Sequence, residues 1–140
     1  MPNTPFLTVD CVIFQYDSVL LIKRGNEPHK GCYALPGGFV DIGETVQQAC
    51  SRELKEETAL EVDPDKLKLI GVYSDPQRDK RFHSISVAFL GDSSLAFLEA
   101  GDDAIAVELV ENWKDVNIAF DHKKIIVDAF NLKERLKKNS

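Results

Sequence analysis

A chain of 140 residues has room for one domain, residues 1–140, burying roughly two thirds of the surface it would expose unfolded, so no DNA-binding or regulatory module is expected beside it. With 44% hydrophobic and 29% charged residues and only 8 Gly and 6 Pro, the composition excludes disordered and fibrous classes. The net charge of −6 argues against nucleic acid and anionic membranes as partners, so an anionic substrate would need bound cations to reverse the local field.

The N-terminal MPNTPFLTVD has neither a basic nor an apolar leader region, and no run approaches the roughly 20 apolar residues of a membrane span. Cys11, Cys32 and Cys50 fit no zinc-finger spacing, and free thiols in a reducing compartment are the expectation. A cytoplasmic protein is expected.

Residues 7 to 15, LTVDCVIFQ, are rich in β-branched and aromatic types. With the turn-like Tyr16-Asp17-Ser18 and the run VLLIKR they predict a β-hairpin. The polar GNEPHKG follows, then a short strand, CYAL, that stops at Pro36-Gly37-Gly38. From Thr45 to about Ala59 the period is helical, with Val46, Ala49, Cys50 and Leu54 on the apolar face. Strands are predicted at 67–74 and 83–90 around the basic loop SDPQRDKRF, and again at 95–98 and 104–110. A closing helix starts near Asp121, a favourable N-cap residue, and only the final KKNS reads as frayed. This order predicts an α/β fold with a mixed sheet between helices.

The central helix carries Arg52-Glu53-Leu54-Lys55-Glu56-Glu57. Positions 53, 56 and 57 are three or four apart and share a helix face, where like charges repel unless cations sit between them. Alone, such a run is most simply a solvated acidic face. Glu53, however, borders the apolar stripe, where an unpaired carboxylate is costly, and Arg52 can hold the carboxylates by charge-assisted hydrogen bonds. Hard oxygen-liganded ions, Mg²⁺ or Mn²⁺, are the natural occupants. Upstream, Gly37-Gly38 allows close approach of backbone to a phosphate or metal, although such a pair is more often just a turn.

Gly38, Glu44 and Arg52-Glu53-x-x-Glu56-Glu57, at this spacing, resemble the signature of the Nudix hydrolases at every defined position except Ala59, where the family has Gly. That Gly ends the helix with φ > 0, so Ala59 should cost about 1 kcal/mol or bend the exit. The resemblance implies a Nudix-type α/β/α sandwich that hydrolyses a nucleoside diphosphate linked to another group. It assigns metal binding to Glu53, Glu56 and Glu57, with a backbone carbonyl near Gly37-Gly38, and catalysis to Glu53, Glu56 and Arg52. The general base stays open between Glu53 and Glu56, with Asp102, Asp103 and Glu108 as later contributors.

Pro76, sixteen residues beyond Leu60, resembles the pattern of the ADP-ribose pyrophosphatase subgroup, as do the surrounding loop, GDDA at 101–104 and AFDH at 119–122. This implies a small nucleotide substrate, ADP-ribose ahead of oxidised nucleoside triphosphates, and a homodimer. A non-catalytic ADP-ribose-sensing domain is the rival of another class. Substrate contacts are assigned to Arg24, Pro76, Arg78, Arg81 and Phe39. Lys80 and His83 are further candidates, a solvated or dimer-contact loop being the alternative. Tyr33 and Phe39 either stack on a base or join the core, and Trp113 is assigned to packing.

Overall fold

The computed structural model describes residues 3–91 and 107–139. The expected strand at 95–98, the GDDA turn, Asp102 and Asp103 lie outside the described residues.

Strand β1, Phe6–Val12, lies inside a mixed sheet with β5 (Gly37–Phe39), β6 (Lys68–Tyr73) and β7 (Ser84–Leu90), in the order β5-β1-β7-β6. β1 runs parallel to β7, from Phe6 opposite Ser84 to Val12 opposite Leu90, and antiparallel to β5. A second sheet contains β2 (Phe14–Gln15), β3 (Ser18–Lys23), β4 (Tyr33–Ala34) and β8 (Val107–Val110), all paired with β3. The single sheet expected from sequence is therefore two sheets. The run read as one strand divides at Ile13: Val12 O accepts from Gly91 N in the first sheet, while Phe14 pairs with Val19 in the second. The hairpin itself is present, and its turn residue Tyr16 adopts φ 56°.

Side chains alternate along a strand, so a run apolar at every position must be covered on both faces. Val9, Cys11 and Ile13 pack with Leu20, Phe89 and the buried stripe Ala49, Cys50 and Leu54 of helix α1 (Val46–Thr58). Val12 and Phe14 pack instead with Leu21, Ala88, Leu90 and with Ile125, Ile126 and Ala129 of helix α2 (His122–Lys138). Each such buried Leu or Ile contributes roughly 1.5–3 kcal/mol, and the two cores give the α/β/α sandwich. Trp113 is buried in the second core and donates from Nε1 to Asp17 O, a packing role as expected. Cys11 and Cys50 are paired as a disulfide between β1 and α1, Cα atoms 6.1 Å apart, so the expectation of free thiols holds only for Cys32.

Helix α1 opens on a capping box not foreseen from sequence: Thr45 Oγ1 accepts from Gln48 N at 3.1 Å, and Thr45 N donates to Gln48 Oε1 at 2.9 Å. It ends at Ala59, whose φ of 65° is the left-handed conformation that the departure from glycine makes costly. Asp121 precedes α2 but makes no side-chain cap, because its carboxylate is bound elsewhere. The helix continues through Lys138, beyond the expected fraying point. No described helix is long and apolar enough to cross a membrane.

Candidate active site

Gly37 and Gly38 lie in β5, paired with Asp10 and Val9 of β1, rather than in the turn expected. Neither has positive φ; what excludes a side chain is proximity. A Cβ on Gly37 would collide with the Val9 carbonyl oxygen, and one on Gly38 would stand 2.6 Å from the Glu53 carboxylate. The glycines thus bring β5 directly beneath α1. In the loop between them, Gly43 takes the left-handed conformation, φ 94°.

Arg52 is the hub of the acidic helix. Its Nε and Nη2 donate to Glu44 at 2.9 and 2.7 Å, Nη1 to Glu53 at 2.7 Å, and Nη2 to Phe39 O at 3.0 Å. These bonds, with the Asp41 N–H, hold the Glu44 carboxyl down at about 2. The three signature glutamates do not share one environment. Glu53 is 15% exposed at its side chain, whereas Glu56 is 58% exposed and leans on Arg52 Nη1 at 3.3 Å. Glu57 accepts from Gly37 N at 3.0 Å. Burial, opposed by that N–H but reinforced by Glu53 and by the charge of Asp10, pushes Glu57 up to about 8. Among the described residues no three acidic, imidazole or thiol groups form a ready-made metal centre. The crowding of Glu53 against Glu57 is nevertheless what a cation would relieve.

A cleft of about 250 Å³ opens beside this pair, lined by Glu57, Gly37, Gly38, Phe39, Arg24 and Arg81 among others. Arg24 spends its Nε on Pro28 O and lies over the Phe120 ring. Arg81 is bound through Nε and Nη2 to Asp79 and stacks on Phe82. Phe39 is half exposed and stacks with Phe82, centroids 6.1 Å apart, so it belongs to the cleft rather than the core. Arg78 reaches the wall, but its side chain is 6% exposed and its donors are committed: Nε and Nη2 to Asp121, Nη1 to Ser84. Its geometry is that of a strut between the basic loop and α2, not of an open fork. Pro76 is exposed on that loop outside the cleft lining, and His83 binds Ser74 O. Tyr33 packs against the second core, as one of its two expected roles had it, and donates to Glu108 at 2.7 Å; neither residue lines the cleft.

Sequence reading missed a buried polar network at the cleft floor. Asp10 accepts from Ser86 Oγ at 2.5 Å, its Oδ1 lies 3.3 Å from His122 Nε2, and Arg78 Nη2 is 3.6 Å from Oδ2. His122 Nδ1 accepts from Leu35 N at 3.0 Å, which leaves the ring proton on Nε2, facing Asp10. Burial lowers the His122 pKa, consistent with a neutral ring. This imidazole completes a ladder. Tyr33 N donates to Asn117 O, Ala119 N donates to Tyr33 O, and at the next rung His122 supplies the acceptor that the backbone would have provided. Asp10 is the one member with a visible signal, an isolated carboxylate in an otherwise apolar strand.

The residues from Gly38 to Glu57 thus form a strand under a helix whose Arg clamps its own glutamates, with a cleft alongside. Residues 4–131 match the NUDIX domain model, and the chain belongs to the Nudix family of hydrolases. It is 51% identical over 124 residues, 89% of this chain and 72% of the relative, to an ADP-ribose pyrophosphatase of Methanocaldococcus jannaschii. It is 32% identical over 139 residues, covering 54% of the relative, to the ADPR responsive transcriptional repressor NtrR of Acinetobacter baylyi. Among solved structures, the NUDIX domain of Shewanella oneidensis NrtR complexed with ADP ribose superposes with a TM-score of 0.79 at 30% identity, covering 96% of this chain and 90% of that one.

Proposed function

We propose that the chain hydrolyses ADP-ribose to AMP and ribose 5-phosphate with Mg²⁺ or Mn²⁺. Glu53, Glu56 and Glu57 would hold the ion, with a backbone carbonyl of Gly37-Gly38 as a further ligand. The observation that carries this is the crowded Glu53–Glu57 pair beside a cleft that Glu57 lines together with arginines and stacked aromatic rings. The 51% identity to an ADP-ribose pyrophosphatase supports the choice of substrate.

When bound, the divalent cation neutralises the diphosphate and acidifies the attacking water. The protein's own groups do the rest. Arg52 fixes Glu53 through Nη1, so that this carboxylate keeps its orientation while its neighbours change partners. Arg24 and Arg81 donate to phosphate or ribose oxygens, and Phe39 with Phe82 offers faces for a base. Glu53 or Glu56 takes the proton from water as its oxygen bonds to one phosphorus. The bridging P–O bond breaks, and the proton returns to the leaving phosphate. The homodimer implied by the resemblance and the cytoplasmic location expected from the sequence belong to the same proposal, the first checked by light scattering.

A panel of nucleotides assayed with Mg²⁺ and detection of released phosphomonoester tests the substrate: ADP-ribose should be cleaved faster than 8-oxo-dGTP. The identity to a transcriptional repressor favours a second reading, a domain that binds ADP-ribose without cutting it. Tight binding of ADP-ribose with no AMP released would select it.

A further inference from the structure

Phe120 was not singled out by sequence, and its backbone is unusual. It sits at φ 55°, in the left-handed region that a bulky non-glycine residue rarely adopts. Such positions persist only where the surroundings over-determine them, and here they do. On one side Ala119 is held by Tyr33 O, and on the other His122 is held to Leu35 and to Ala119 O. The effect of the turn is to lift the Phe120 ring out of the ladder and into the wall that the active-site cleft shares with a neighbouring depression of about 440 Å³.

Two guanidinium groups converge on that ring. Arg24 Cζ is 5.0 Å from its centroid and Arg81 Cζ 5.7 Å, both within cation–π range. They arrive from distant parts of the chain, the end of β3 and the basic loop before β7. The His29 ring, also on a left-handed residue, meets Phe120 edge-on at 4.8 Å. Each arginine keeps donors for a ligand. Among the described residues, Arg24 makes no hydrogen bond or ion pair through its Nη atoms, and Arg81 makes none through Nη1. Two like charges drawn to one ring repel, and the ring's electron-rich face offsets part of that cost.

We propose that Phe120 is the positioning residue of the anion-binding side of the cleft. Its ring sets Arg24 and Arg81 together as one subsite for the phosphate and sugar oxygens of a nucleoside diphosphate ester. The inference rests on the substrate reading given above. It assigns the strained turn a purpose in ground-state binding, and so predicts an effect on KM rather than on kcat.

The test is a double-mutant cycle on ADP-ribose hydrolysis, with thermal midpoint and far-UV circular dichroism measured for each variant. F120L should raise KM about tenfold with kcat within about twofold, while F120Y holds KM within about threefold of the parent. R24A should raise KM by a similar factor, and F120L/R24A should be little worse than either single change, because both remove the same arrangement. A tetrafluorinated phenylalanine at 120 keeps the shape but withdraws electron density from the ring. It should raise KM without moving the thermal midpoint, and it decides the matter if F120L does not fold. An unchanged KM in the fluorinated protein, or effects of F120L and R24A that multiply independently, would overturn the proposal. If the parent enzyme cleaves 8-oxo-dGTP and not ADP-ribose, the substrate reading falls, and the same cycle run on that triphosphate still decides the role of Phe120.

Discussion

Glu57→Gln separates the electrostatics of the acidic pair from its geometry. The substituted amide retains an oxygen to accept from Gly37 N, so the link between α1 and β5 survives, but it carries no charge beside Glu53. In the metal-free parent the Glu57 carboxyl stands near 8, against 4.5 in an open chain. Between those values the folded protein holds a proton that the unfolded chain has lost, so stability falls as pH rises. At about 1.4 kcal/mol per tenfold change the full interval amounts to several kcal/mol, on the order of 3–5. For a domain of this size that is roughly 10 °C or more in thermal midpoint between pH 5 and pH 8. Saturating Mg²⁺ should recover much of it at pH 8, since 100-fold excess over Kd adds about 2.7 kcal/mol. E57Q in EDTA should lose most of this pH slope, melt above the parent at pH 8, gain little from Mg²⁺ and release no AMP. Differential scanning calorimetry across pH, with and without Mg²⁺, reads all but the last. A variant that keeps the slope, or one that keeps both the Mg²⁺ shift and turnover, would refute the assignment of Glu57 as a charged metal ligand.

Ala59→Gly should stabilise the fold by about 0.5–1 kcal/mol, seen as a higher denaturant midpoint, because the residue already occupies φ 65°. The two glycines of β5 should respond differently to alanine. G38A meets the Glu53 carboxylate, a side-chain end rather than backbone, so it should fold but pull Glu53 from its bond with Arg52, and kcat drops at least about tenfold. G37A meets the Val9 backbone and should lose about 1–3 kcal/mol in chemical unfolding. His122→Ala leaves the buried Leu35 N–H and one side of Asp10 without partners, for a loss of about 1–3 kcal/mol that urea titration would report.

The acidic helix was legible because its determinants are local. The spacing of Glu53, Glu56 and Glu57 follows from 3.6 residues per turn, and Ala59 marks its own strained exit. Helical spacing could not show that Glu56 turns outward, since that depends on Arg52, whose further partners include Glu44, before the helix. Nor could it reveal the roles of Arg78 and Asp121, which satisfy each other across 43 positions in the chain. Each reads as a free polar residue until β7 lies parallel to β1 and carries the basic loop over the start of α2. The glycine pair was expected to let backbone approach a ligand, but what it clears is the Val9 carbonyl and the Glu53 carboxylate, a property of two strands and a helix that one segment cannot express.

Asp10 shows where a stronger sequence argument was available. A carboxylate at the centre of LTVDCVIF must be buried if its neighbours are, and a buried carboxylate requires hydrogen-bond donors from elsewhere in the chain. Two of the groups that meet it sit in segments that the resemblance picks out, the loop at 74–82 and AFDH at 119–122. The structure joins Asp10 to both, through Arg78 and His122. The need to satisfy one misplaced charge therefore links the floor of the cleft, the strut that carries Arg81 and the turn that lifts Phe120. It explains why residues more than a hundred positions apart belong to one site.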